Sequence, residues 1–222
     1  LCVLTQDDAQ ILFIDTPGIH KPKHKLGEYM VKAAENTLKE VDVILFVVDA
    51  TENIGAGELY IMERLQSTQA PVILVVNKVD QINKQQVLPV ISRYSDKLNF
   101  VGAIPISAKE KTNLDQLVEE IKKYLEEGPQ YYPSDMITDQ PERLVIGELI
   151  REKALHLTKE EIPHAIAVDI EEISKRNNDD LYIRATIYVE RESQKGIVIG
   201  AKGSLLKEIG QLARADIENL LG

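Results

Sequence analysis

Two uninterrupted apolar stretches dominate the hydropathy pattern, DVILFVVDA at 42–50 and PVILVVNKVD at 71–80. Both are short, rich in β-branched residues and closed by polar groups, as expected of strands buried on both faces of a parallel sheet. FVGAIPISAK (100–109) adds a third strand that ends in a turn. Helical spacing predicts helices over GELYIMERLQST (57–68) and, interrupted at its proline, QQVLPVISRYSDKL (85–98). Another helix follows Asn113, an expected N-cap with Gln116 three residues on, and carries Leu114, Leu117, Val118, Ile121 and Leu125 along one face. Ahead of these, Leu1–Thr5 and Gln10–Ile14 read as an antiparallel hairpin turned by QDDA, and KLGEYMVKAAENTLKEV (25–41) reads as a helix.

The pattern changes at EEGPQYYPSDMITDQPE (126–142), where Pro129, Pro133 and Pro141 prevent regular structure. Beyond it, RLVIGELIREKALHL (143–157) is an amphipathic helix. HAIAVDIEEI (164–173) and LYIRATIYVE (181–190) alternate as half-buried antiparallel strands around the turn SKRNNDD. SQKGIVIGAKGS and a helix over LLKEIGQLARADIENLL (205–221) complete the chain. The expected architecture is an α/β, doubly wound domain over 1–128, a linker over 129–142 and a smaller α+β domain over 143–222.

Composition narrows the function classes only a little. The chain has 222 residues, 44% apolar and 28% charged, with a formal net charge of −10. That charge argues against indiscriminate nucleic-acid binding by the whole surface, though not against a local patch. No apolar run approaches the roughly 18 to 20 residues that span a bilayer, so a soluble, intracellular type is expected. Cys2 is the single cysteine. It excludes an internal disulfide and a cysteine-based zinc site, and reads as a small apolar strand residue.

Candidate chemistry sits just past three strand ends, the edge where open α/β sheets bind ligands. Asp15-Thr16-Pro17-Gly18 offers a carboxylate for a magnesium ion, usually through its water. Gly18 lets a backbone N–H approach a terminal phosphate. A simple turn explains this motif equally well. In Asn77-Lys78-Val79-Asp80, the Asp80 carboxylate can accept from the ring N–H and the exocyclic amine of guanine, neither of which adenine offers there. Asn77 can bridge base and neighbouring loops, and the Lys78 stem can lie along the ring. Ser107-Ala108-Lys109 would present the Ala108 N–H to the guanine carbonyl. The order and spacing of all three together point to a guanine-nucleotide domain.

With these motifs the chain resembles the translation-factor-like branch of P-loop GTPases, and DTPGIHKPKHKLGEYMVKAA resembles the switch region of the Era family. The resemblance covers essentially the whole chain. It implies a GTPase domain followed by a type II KH domain, with GTP/GDP and Mg2+ as ligands. The implied partners are small-subunit ribosomal RNA, near its 3′ end, and the small ribosomal subunit. A role in ribosome assembly, a monomer, and a cytoplasmic location with peripheral membrane association in some members are implied as well.

Two departures qualify it. No G-x-x-x-x-G-K-[ST] sequence occurs; GAKGS (200–204) interrupts its Lys and Ser with Gly, and Thr5 lies too close to Asp15 to be the metal-binding Thr of a first switch. A chain truncated at both ends, lacking the phosphate loop and a third KH strand, is expected from this. Ile19 stands where many small GTPases carry a water-orienting Gln, and an apolar side chain cannot orient water. The catalytic group is unknown. His20 and His24, split by Pro22, read as a solvated loop rather than a metal site.

In a KH module, Gly200-Ala201-Lys202-Gly203 would bring backbone close to a single strand and clamp about four nucleotides. Ile197 and Ile199 would floor the bases, and Lys202 and Lys207 would favour phosphate. Periodicity alone suggests a strand for 196–199, whereas the resemblance implies a short helix, which is the expectation adopted. The alternatives are a non-catalytic RNA-binding fragment or a ribosome assembly factor with two GTPase domains; only one N-K-x-D is present.

Overall fold

The computed structural model describes residues 1–16, 37–158, 166–176 and 180–221. Pro17, Gly18, Ile19, His20, His24 and residues 25–36 of the helix expected over 25–41 lie outside the described residues. The chain divides into two compact units, Leu1–Ile137 and Thr138–Gly222.

The first unit opens on a hairpin of β1 (Cys2–Thr5) and β2 (Gln10–Phe13). Its sheet contains β3 (Ile44–Asp49), β4 (Val72–Asn77) and β5 (Gly102–Pro105), all parallel, with β4 central. Being central explains the unbroken apolar run of β4, whose Val72 to Val76 are all buried. Helices α1 (Ala56–Leu65) and α2 (Lys84–Ser95) cover one face, where Met62, Leu65, Val90 and Tyr94 pack on Phe46, Val48, Leu74 and Val76. Helix α3 (Leu114–Lys122) covers the other, with Ile121 on Ile73, Val75, Ile104 and Ile106. Ile11 of the hairpin joins this second layer, so the hairpin shares a core with the sheet.

Two local expectations are corrected. Helix α2 is not interrupted: it runs through Pro89, because both Pro89 and Gln85, whose carbonyl loses its partner there, face solvent. Asn113 precedes α3 but does not cap it. It is left-handed (φ 58°), and its amide donates to the Pro105 carbonyl at 2.8 Å, tying the helix start to the end of β5. Leu125 lies beyond the helix end, though it packs against the same core.

The Pro-rich tract to Ile137 belongs to the first unit. The Gln10 side chain accepts from the backbone N–H groups of Tyr131 (3.0 Å) and Tyr132 (2.9 Å). It donates to the Tyr132 carbonyl and to Thr5 Oγ1, both at 2.9 Å. The Val3 N–H donates to the Ile137 carbonyl at 2.9 Å, occupying the open edge of β1.

The second unit packs α4 (Glu142–Leu157) and α6 (Ser204–Leu221) against an antiparallel pair, β6 (Ile166–Lys175) and β7 (Leu181–Val189). Ile146, Ile150 and Ala154 of α4 face Ile209, Ala213 and Ile217 of α6, each set at four-residue spacing along one face. Lys153 pairs with Asp216 across the two helices. A bulge between Ile170 and Glu172 frees the Ile170 carbonyl, which accepts from Arg143 Nη1 at 2.6 Å. Between β7 and α6 lies the short helix α5 (Glu192–Ile199), a helix and not the strand that periodicity suggested.

Candidate nucleotide and RNA sites

Because β3, β4 and β5 are parallel and in register, their C-terminal ends lie side by side: Asp49 is opposite Asn77, and Val76 is opposite Pro105. The chain leaves β4 through Lys78 in the left-handed region (φ 63°), and Val79 to Gln81 form a single 3-10 turn. This bend returns the Lys78 N–H to Asn77 Oδ1 at 2.8 Å. The same oxygen accepts the Ala108 N–H at 3.0 Å, and the Val79 N–H reaches the Ile106 carbonyl at 3.2 Å. Asn77 therefore binds the β4 loop to the β5 loop, the bridge its amide was expected to make between loops.

The β5 loop is held from below by Ser107, which is 1% exposed. Its Oγ accepts from the Glu110 N–H at 3.1 Å, and its backbone pairs both ways with Thr112. Lys109 is solvated, with Glu110 at 4.0 Å. Asp80 is exposed, and its carboxylate takes no hydrogen bond or ion pair among the described residues, so its acceptor lone pairs stay available.

Two of the expected ligand groups at this edge are also held by the chain itself. The Ala108 N–H, expected to face a guanine carbonyl, donates to Asn77 Oδ1, since a loop amide next to a carboxamide oxygen pairs with it. The Lys78 stem was expected to lie along the base, and its ammonium head is held at the far end. It pairs with Asp49 Oδ2 at 2.5 Å, while Asp49 Oδ1 accepts from the Thr51 N–H (2.8 Å) and hydroxyl (2.7 Å). The Lys78 ammonium, with the two Thr51 donors, lowers the Asp49 carboxyl from 3.8 to about 2. Sequence reasoning missed Asp49. The available signal was that DVILFVVDA ends its strand in an acid, as the neighbouring run ends in Asn77.

Asp15 is exposed, two residues beyond β2, and Gly18 and Ile19 lie outside the described residues. Cys2 is exposed at the start of β1.

In the second unit, α5 ends where Gly200 turns left-handed (φ 73°) and donates its N–H to the Gly196 carbonyl at 3.0 Å. Lys202 (φ 52°) and Gly203 (φ 79°) repeat the left-handed sense, and α6 starts at Ser204. A Cβ on Gly200 would lie 2.7 Å from Leu205 Cβ, so only glycine fits. Beside this turn Ile197 and Ile199 are 52% and 38% exposed, while Val198 between them is buried. Ala201, Lys202 and Lys207 are solvent-facing, and neither ammonium makes an ion pair among the described residues. The six-residue surface of Ile197, Ile199 and the tetrapeptide turn is thus apolar, tightly bent and edged by cations.

A parallel sheet whose three strand ends converge on paired loops, followed by a helix–G-x-x-G–helix turn on a small α+β unit, is the plan of a GTPase domain joined to a KH domain. The elongation factor Tu GTP binding domain family matches residues 2–127, and the KH domain family matches residues 161–222. All of this chain aligns with 76% of a crystal structure of Era in complex with MgGDPNP and nucleotides 1506–1542 of 16S ribosomal RNA, at 45% identity and a TM-score of 0.88. It also aligns in full with 77% of a single-residue variant of Aquifex aeolicus Era bound to GDP·AlF4−, at 45% identity and a TM-score of 0.87. The chain belongs to the Era family of GTPases.

Proposed function

We propose that this chain is a guanine-nucleotide-dependent, RNA-binding switch of small-subunit assembly. The observation that carries the reading is the convergence of Asn77, Asp80 and Ala108 on one sheet edge, with Asn77 already joining the two base-facing loops. Asp80 accepts the guanine ring N–H and amine. The guanine carbonyl shares the Ala108 N–H with Asn77 Oδ1 in a three-centre bond. That the Era structure above holds MgGDPNP and an RNA segment supports both ligand classes.

Magnesium suits the donor at Asp15, a lone exposed carboxylate. No group of three or more His, Cys, Asp or Glu that could hold a metal occurs among the described residues. Asp15 would bind the ion through water, with phosphate oxygens supplying other ligands, as magnesium prefers. When bound it neutralises phosphate charge. Gly18 would place its N–H near the terminal phosphate. In the second unit, Gly200 to Gly203 hold an RNA strand by its backbone while Ile197 and Ile199 receive bases and Lys202 and Lys207 receive phosphates. The RNA is the 3′ segment of small-subunit ribosomal RNA. A reading with two GTPase domains is not favoured, since one GTPase match and one KH match span the chain.

The longer family protein is a GTPase in which a group other than Ile19 orients the water, whereas the polypeptide of residues 1–222 by itself hydrolyses no GTP, because its sequence contains no phosphate-loop motif. It acts as a monomer in the cytoplasm. Any attachment to the inner face of the cell membrane is peripheral.

The test is nucleotide choice. Asp80→Asn should move preference from GDP to XDP, because xanthine offers a carbonyl where guanine offers an amine. An unchanged preference would remove Asp80 from the site. Magnesium-dependent GTP turnover by the purified 1–222 polypeptide would refute the claim of inactivity.

A further inference from the structure

Both oxygens of the Asp49 carboxylate are engaged by groups of this chain. One oxygen takes both donors of Thr51, and the other takes the Lys78 ammonium at 2.5 Å. Asp49 lies opposite Asn77 in the β3–β4 register, so this ion pair crosses between neighbouring strand ends at the nucleotide edge. Lys78 sits in the left-handed region, which costs a non-glycine residue about 1–2 kcal/mol and so needs compensation from its surroundings. Its backbone N–H is fixed by Asn77 and its side-chain head by Asp49. Fixed at both ends, the lysine's methylene stem becomes a bar laid across the C-terminal ends of β3 and β4. The Lys78 side chain is still 51% exposed and that of Asp49 19%, so the bar keeps an open apolar flank.

We propose that Asp49 is a positioning residue for nucleotide binding, holding the Lys78 stem as a platform against the face of the purine ring. This rests on the guanine-site reading above and deepens it. The division of labour is then explicit. Asp80 reads the edge of the base and discriminates between bases. The Asp49–Lys78 pair covers the ring face, which every purine shares, and adds affinity without discrimination.

Asp49→Asn preserves the acceptor for Thr51 and removes only the charge on Lys78's partner. By titration calorimetry or ligand-observed NMR with GDP and IDP, it should weaken both by the same factor. That factor is about fourfold for each methylene uncovered. Lys78→Met should weaken both alike, and the double variant should lose no more than the larger single loss, because the two residues act as one unit. In nucleotide-free protein, acetylation of Lys78 measured by mass spectrometry should accelerate in Asp49→Asn, since the amine no longer has its carboxylate.

Asp80→Asn serves as the control. If it switches preference to XDP while Asp49→Asn leaves GDP and IDP affinity untouched, the base site stands and the role of Asp49 is overturned. A changed GDP-to-IDP ratio in Asp49→Asn overturns it too, because the residue would then act on the base edge. If wild-type protein binds neither nucleotide, the guanine-site reading itself falls, and the platform with it.

Discussion

The two glycines of the G-x-x-G turn should differ sharply in what they tolerate. Gly200 combines φ 73° and ψ 176°, a region open to glycine almost alone, and non-glycine residues there cost about 1–3 kcal/mol. Its added Cβ would meet Leu205 Cβ at 2.7 Å and the Leu205 backbone N at 2.8 Å. Those atoms start α6 and cannot swing aside like a side-chain tip, so an overpacking cost of about 1–3 kcal/mol adds to the strain. Gly203 also has positive φ, but nothing lies within 4 Å of a Cβ there. Its Ala variant should cost only about 1 kcal/mol. The expected contrast is therefore about 4 against about 1 kcal/mol, a large fraction of the stability of a small domain in the first case. Native-state hydrogen exchange at Ile209 and Ala213, buried in α6, reports this directly. Gly200→Ala should strip most of their protection, and Gly203→Ala should leave it nearly intact. Equal losses in the two variants would refute the steric argument. The contrast also marks Gly203→Asp as the useful RNA probe: it should abolish RNA binding by charge while the unit stays folded.

Gln10→Ala should expose the amides of Tyr131 and Tyr132 to exchange, since one carboxamide makes all four bonds there, and cost about 2 kcal/mol in a urea titration. Ser107→Ala should cost about 1 kcal/mol by freeing the Glu110 N–H, and should lower guanine-nucleotide affinity by loosening residues 108–111. Asp49 has a folded pKa below its unfolded one, so its contribution is complete above about pH 4 and is lost as pH falls toward 2. The Thr51 amide resonance should accordingly titrate with a midpoint at about 2, and a midpoint at the ordinary 3.8 would show the Lys78 bond to be absent in solution.

What the sequence revealed and what it concealed follow physical lines. The three apolar runs announced their strands because burial on both faces leaves no room for polar residues. The G-x-x-G turn and the N-K-x-D stretch were legible because their chemistry is local in the chain. Asp49, Gln10 and the Asn77–Ala108 bond were not: each joins segments far apart in sequence, and nothing in a lone strand-end Asp or hairpin Gln states its partner. Asn113 misled for the opposite reason. It carries every local mark of a helix cap, yet its backbone is left-handed rather than extended, and its side-chain amide turns to donate to the Pro105 carbonyl. Pro89 misled as well, since a proline inside a helix is costly only where the orphaned carbonyl cannot reach water.

The clamp between the hairpin and the tract after residue 128 bears on how the first unit can be isolated. Cutting the chain where its last regular helix fades would remove Tyr131, Tyr132 and Ile137. Among the described residues Gln10 would then keep only Thr5 as a partner, and the Val3 N–H would lose its acceptor on the strand edge. Such an edge invites pairing with another copy. A polypeptide ending after Ile137 carries its own edge protection and should remain soluble where the shorter one clumps.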